Sequence, residues 1–254
     1  MERGSRRTLF TGSALAGLLA RLGGVDIDGA ESKQVLSERL SRWLDWTDAI
    51  SLAAALDARA APAGDRPGAS SAVHDAERDL THVRTALAKP IGESPESAAG
   101  PARPAPHAPA PAAPIDPEAG VFGPWRRGYV ARQQAMEASI GPLRGRLRAR
   151  LAAASSPLAR LAAVDAVMER VVGARERALL AAVPQRLERH FERLHEGHRE
   201  ALAGSPQAHG APDAWLAVFR SDMQAVLLAE LDIRLQPVEG LLEALRRSQA
   251  GCHE

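Results

Sequence analysis

Residues 141–161 read GPLRGRLRARLAAASSPLARL, and this stretch decides the fold class. Leu143, Leu147 and Leu151 recur every four residues, the spacing that lines up one side of an α-helix, and the intervening arginines fall off that line. Ser155 or Ser156 then caps a second helix whose first turn carries Pro157, where a missing N–H costs nothing. One helix therefore ends and another begins within a few residues.

The same pattern extends outward in both directions. The first long helix covers residues 121–153, with Pro142 as an expected kink. The helix opened at Ser155–Ser156 continues through Leu161, Val164, Met168, Leu179, Val183, Leu187, Phe191 and Leu194 to about residue 203, bent at Pro184. A last helix, from Pro212 to about Ser248, carries Trp215, Phe219, Val226, Leu231, Leu235, Val238, Leu242 and Leu245, with Pro237 inside it. No alternating run flanked by turn pairs signals a strand. The expected fold is all-α. Residues 118–250 should form a long antiparallel helical hairpin or three-helix bundle with coiled-coil-like packing, because such long helices bury narrow stripes only against one another. Thin bundles leave part of their stripes uncovered, so a homo-oligomer is expected.

Toward the N-terminus three shorter helices are expected. Ser13 caps the first, in which Leu15, Leu18, Leu19 and Leu22 form a stripe that ends at Gly23-Gly24. The second runs over residues 31–59, with Leu36, Leu40, Trp43, Thr47 and Ile50 on one side; its apolar end, residues 49–56, should be buried. After a Pro/Gly break at 62–68, Ser70 or Ser71 caps the third, with Val73, Ala76, Leu80, Val83 and Leu87 in register, and Pro90 stops it. Together these make an N-terminal helical module, residues 1–89. Residues 90–117 hold nine prolines, mostly spaced by alanine, and too few large apolar groups to offset ordering entropy. They read as an extended Pro/Ala linker.

The 254 residues carry 32 basic and 31 acidic side chains. All the basic ones except Lys33 and Lys89 are arginine. The near-zero net charge gives no overall field toward nucleic acid or anionic lipid. With Cys252 as the only cysteine, no disulfide or cysteine-cluster zinc site forms within one chain. Ser5-Arg6-Arg7-Thr8-Leu9-Phe10 superficially resembles a twin-arginine export signal. Arg21 interrupts the apolar run, however, no A-x-A site follows, and Asp26 and Asp28 come next, so a cytoplasmic location is expected. The longest apolar runs, of about eight residues, fall well short of a membrane span.

The search for chemistry is mostly negative: no G-x-S-x-G elbow, G-x-G-x-x-G loop or phosphate loop occurs. No catalytic residue and no cofactor is expected. Glu192 and His195 have the E-x-x-H spacing of di-iron bundles, with His198 nearby, but no second such pair exists. A solvated, mixed-charge helix face is the expectation for Glu192, His195 and His198, and a metal-binding bundle is the alternative. Arg126, Arg127, Arg132, Arg144, Arg146, Arg148 and Arg150 face a single nearby acid, Glu137. At 100° per residue Arg144 and Arg148 lie on one flank of the leucine stripe and Arg146 and Arg150 on the other. The expectation is therefore packing flanks with salt bridges. Nucleic-acid or anionic-membrane binding is the alternative, with Trp125 and Tyr129 as the available aromatics. Trp43 and Trp46, three apart and accompanied by Asp48, are core residues by default and a partner-docking site if they are exposed.

These residues also carry a resemblance. Arg7-Thr8 with Phe10 and Gly12, residues 18–22 (LLARL) and above all residues 39–52 (RLSRWLDWTDAISL) resemble the N-terminal signature of an uncharacterised proteobacterial domain-of-unknown-function family. The resemblance supplies no catalytic residue. It implies a bacterial protein encoded beside membrane proteins with a peptidoglycan-binding, OmpA-like domain and motor-stator-like partners. That setting is a cytoplasmic component of an envelope-associated assembly. The functional expectation is a non-enzymatic helical scaffold or adaptor whose partners are proteins.

Overall fold

The computed structural model describes residues 11–23, 45–57, 69–92, 121–204 and 214–250. Every element among them is an α-helix: α1 (Thr11–Gly23), α2 (Trp46–Asp57), α3 (Ala69–Gly92), α4 (Gly123–Ala154), α5 (Ser156–Leu180), α6 (Val183–Gly204) and α7 (Ala214–Ala250). The fold is all-α, as the leucine spacing requires. Trp43, residues 31–44 of the second expected helix, the break at 62–68, residues 93–117 of the linker, Pro212 and Cys252 lie outside the described residues, as does the Ser5–Phe10 segment.

The helix ends differ from expectation at several points, each for a local reason. Ser13 lies inside α1, not at its cap, and Ser70 and Ser71 lie within the first turn of α3. Helix α2 does not run through from residue 31. Asp45 is its N-cap, accepting the Asp48 backbone N–H at 2.9 Å and the Thr47 hydroxyl at 2.6 Å, so that the helix starts at Trp46. Pro90 does not stop α3, which continues to Gly92 and buries Ile91.

The long second helix of the C-terminal half is really two. Ala181 and Ala182 separate α5 from α6. Pro184 favours the break, because its ring crowds the carbonyl four residues back, that of Leu180, although Pro142 and Pro237 stay inside α4 and α7. The chain closes the end with Ala181 N–H donating to the Arg177 carbonyl at 2.9 Å and Ala182 N–H to that of Leu179 at 3.2 Å. Proline then sits in the first turn of α6, where it fits. At the other end of α5, Ser155 is extended (φ −157°, ψ 160°) and caps by position, without a side-chain hydrogen bond.

The helices form two compact units, and the expected separation into residues 1–89 and 118–250 does not describe their packing. One unit takes α1, the end of α3, residues 121–135, α6 and the first part of α7, up to residue 233. Its core is aromatic. Phe122, Trp125, Phe191, Trp215 and Phe219 meet at ring-centroid separations from 5.0 Å for Phe191–Phe219 to 6.2 Å for Phe122–Phe219, mostly edge to face. Helix α1 packs on α6, buries Leu15 and Leu22, and is fastened at its C-terminal end by Arg193, which donates to the Leu22 carbonyl.

The other unit takes α2, α3 up to residue 86, residues 136–182 and the end of α7 from residue 234. Its core is aliphatic: Leu143, Leu147 and Leu151 are buried as their spacing requires, together with Val73, Leu158, Val167, Leu235, Val238, Leu242 and Leu245. Helix α2 packs on α5. In both units, helices from before the Pro/Ala stretch lie against helices from after it, so the first 89 residues do not make a self-contained module.

Candidate functional site

Three constellations stand apart from ordinary core packing: the arginine-flanked part of α4, a polar cluster in the aromatic unit, and the outer face of α2. In the first, Arg144 makes a bidentate pair with Asp165 of α5, through Nη2 at 2.6 Å and Nε at 2.8 Å. Arg148 reaches the same Asp165 at 3.1 Å and Glu169 at 2.5 Å. Burial by itself would lower the pKa of Arg148, but its hydrogen bonds to Glu169 and Asp165 outweigh this and raise it. On the opposite flank Arg150 pairs with Asp79 of α3 at 2.9 Å and Arg146 approaches the same carboxylate at 3.9 Å. The four arginines join α4 to helices on either side of the leucine stripe. Arg132 donates to the Gly128 and Pro90 carbonyls, both at 3.1 Å, and its burial lowers its pKa. Of the seven, Arg126, Arg127 and Arg146 are exposed.

The aromatics proposed to accompany those arginines are not available for stacking on bases or lipid. Trp125 is buried against Phe219, with the Arg220 guanidinium 5.6 Å above its ring, and the Tyr129 side chain is fully enclosed. This correction follows from helical phase: Trp125 and Tyr129 lie four apart on the inner side of α4.

The polar cluster of the aromatic unit was not legible as a site in the sequence. Glu230 of α7 is completely buried and accepts the Tyr129 hydroxyl at 2.6 Å and the Gln133 side-chain N–H at 3.0 and 3.1 Å. The signal was present, since an acid stands in an otherwise apolar stretch, AVLLAEL at 225–231, and the chain's single tyrosine lies in α4. What the sequence lacked was the pairing of positions 101 residues apart. Nearby, Asp222 accepts from His190 Nε2 at 2.8 Å and lies 3.7 Å from Arg21 of α1.

The E-x-x-H segment gathers no metal site. Among the described residues no group of three or more His, Cys, Asp or Glu side chains could hold an ion. The helix turns His195 and His198 onto the Trp215 ring, at 5.1 and 6.2 Å between centroids, while Glu192 is exposed. These imidazoles serve as flat packing partners for the indole.

Helix α2 departs most from expectation. Its apolar end was expected to be buried, yet of 49–56 only Ala55 is; Ile50 is 53% and Leu56 52% exposed. Trp46 is 79% exposed, whereas every other described Phe, Trp or Tyr is in the core of the aromatic unit. Default core packing is thus wrong for Trp46. Asp48, grouped with it in the sequence, is two positions away, on the side of the helix turned toward Ala55, and is half-buried. The acid that shares the side of Trp46 is Asp57, eleven residues on, which the sequence reading did not single out.

These features define an all-helical fold among the described residues, with Trp46 exposed on the outer face of α2. The chain belongs to the family described as "Protein of unknown function (DUF3348)", whose family model matches residues 1–247. No curated protein matches it, and no solved structure does.

Proposed function

We propose that this chain is a non-enzymatic helical scaffold or adaptor that docks protein partners through the outer face of α2. The exposure of Trp46 beside Ile50 carries this reading. Large aromatics left in water are uncommon on a helix that already has a packed side, and tryptophan is enriched among residues that dominate binding energies. The pairing of Arg144, Arg148 and Arg150 with acids of α3 and α5 argues in the same direction, because it removes most of the basic patch that nucleic acid or lipid would need. Among the described residues no helix is long and apolar enough to cross a membrane. Work as a cytoplasmic component beside envelope membrane proteins, as a homo-oligomer, completes the proposal.

The test is affinity capture from the native cell with the intact chain and with W46A, at low and moderate salt. The adaptor reading expects a defined set of envelope proteins with the intact chain and its loss with W46A. Recovery of the same set by both, or of nucleic acid alone in a salt-sensitive manner, overturns it.

A further inference from the structure

Helix α2 turns its more apolar side away from its packed one. Ala55 is buried, with Asp48, Ser51 and Leu52 half-buried around it, on the side that packs toward its neighbours. The other side carries Trp46, Ala49, Ile50 and Ala53, at i, i+3, i+4 and i+7, all exposed. An apolar stripe of this kind on a helix is ordinarily covered by another surface. Two alanines beside two large side chains make a notch, the relief that accepts a ridge of another helix.

The charges on this segment are equally one-sided. Residues 45–57 contain Asp45, Asp48 and Asp57 and no basic residue, in a chain whose acids and bases are otherwise balanced at 31 and 32. Asp45 stays ionised well into acid solution, because the Thr47 hydroxyl and then the Asp48 N–H hold its pKa below the usual value. Its charge is explained by capping. That of Asp57 is not: an acid at a helix C-terminus opposes the helix dipole, and no basic residue occupies that last turn to offset it. Asp57 nevertheless lies within 20° of Trp46 in helical phase, by the 100° turn per residue.

We infer that the outer face of α2 receives a cationic amphipathic helix from a partner protein. Apolar side chains of that helix enter the notch at Ala49 and Ala53, and its Arg or Lys residues lie toward Asp57 and over the Trp46 ring, where a cation is attracted to the π face. Phosphate-bearing partners are disfavoured there by Asp57, on a segment, residues 45–57, that carries no basic residue. This inference rests on the docking reading above and adds the chemical class of the partner.

The experiment is selection of a helical-peptide display library, randomised in charge and in apolar spacing, on the full-length chain, with counter-selection on W46A. Trp46 makes little contact with its own chain, so W46A should keep the parental far-UV circular dichroism. The expected binders are net positive, carry apolar residues three and four apart, and lose about tenfold or more in affinity on W46A. D57N should weaken them by about threefold, an effect that shrinks as salt rises. Trp46-dependent binders that are neutral or acidic would overturn the cationic partner while leaving the docking face standing. A library that yields no Trp46-dependent binder overturns both.

Discussion

Glu230 places a carboxyl group where its helix otherwise presents Val226, Leu227 and Leu231 to the core. Its three hydrogen bonds make this tolerable, and they also make its neighbours dependent on it, since Tyr129 and Gln133 have their donors aimed at one residue. Replacing it by alanine leaves those donors buried, at about 1–3 kcal/mol each, and opens a cavity besides. E230A should therefore lower unfolding stability in urea by about 3 kcal/mol or more. E230Q, which keeps an acceptor and the volume, should lose about 1 kcal/mol. The double variant Y129F/E230Q should fall short of the summed single losses, because one bond is removed in both. A second residue-scale case is Asp165, the shared partner of Arg144 and Arg148, with its side chain 12% exposed and that of Arg144 14% exposed. D165A removes the carboxylate that Arg144 and Arg148 share and leaves them only Glu169, so it should cost about 2 kcal/mol, while R146A, whose side chain is half exposed and 3.9 Å from its acid, should change stability by less than about 0.5 kcal/mol.

At the scale of elements, α2 depends on a cap that titrates. The Asp45 pKa lies below the usual 3.8 in the folded chain, so the capping contribution is complete above 3.8 and is lost as pH falls through the lowered folded value. Amide exchange in α2, measured against α7 as an internal reference, should accelerate in that acid window, with D45A showing the acceleration already at neutral pH and D45N remaining near wild type because asparagine also caps. The elements also mark what could be read from the chain alone. The stripe Leu143–Leu147–Leu151 and the opposite flanks of the four arginines follow from 100° per residue, and both are found. The division at Ala181–Ala182 was legible only in part: Pro184 denies the Leu180 carbonyl its usual bond, but Pro142 and Pro237, with the same chemistry, stay inside α4 and α7. The exposure of Trp46 was not legible. Periodicity would bury the stripe of Trp46, Ile50 and Ala53, and only the packing of α2 on α5 turns Ala55 and Leu52 inward instead.

At the scale of the whole molecule, the Pro/Ala stretch separates sequence but not packing. Asp79 and Glu77 of α3 pair with Arg150 and Arg246, Arg84 with Glu239, and α1 lies on α6, so each unit is completed by helices from both sides of residues 93–117. Composition reveals where a chain is poor in apolar side chains and says nothing about which distant stripes meet across that gap, which is why a boundary near residue 90 looked like a domain boundary. The energetic consequence is definite. Residues 1–92 alone bury little of the surface that Leu15, Leu22, Ala55, Val73, Ala76 and Ile91 cover in the intact chain, and helices of 12 to 24 residues are marginal in water without tertiary contacts. That fragment should show weak helical circular dichroism, and residues 118–254 alone should bind a dye for exposed apolar surface and unfold less cooperatively. When the two are co-expressed they should purify together as a complex with the helicity of the intact chain, because the covalent link supplies only effective concentration. A fragment 1–92 that folds by itself and ignores the other piece would mean that the two-unit packing is wrong. It would also return the proposed docking face of α2 to an independent module, whereas the interleaved packing makes α2 depend on helices from both sides of residues 93–117.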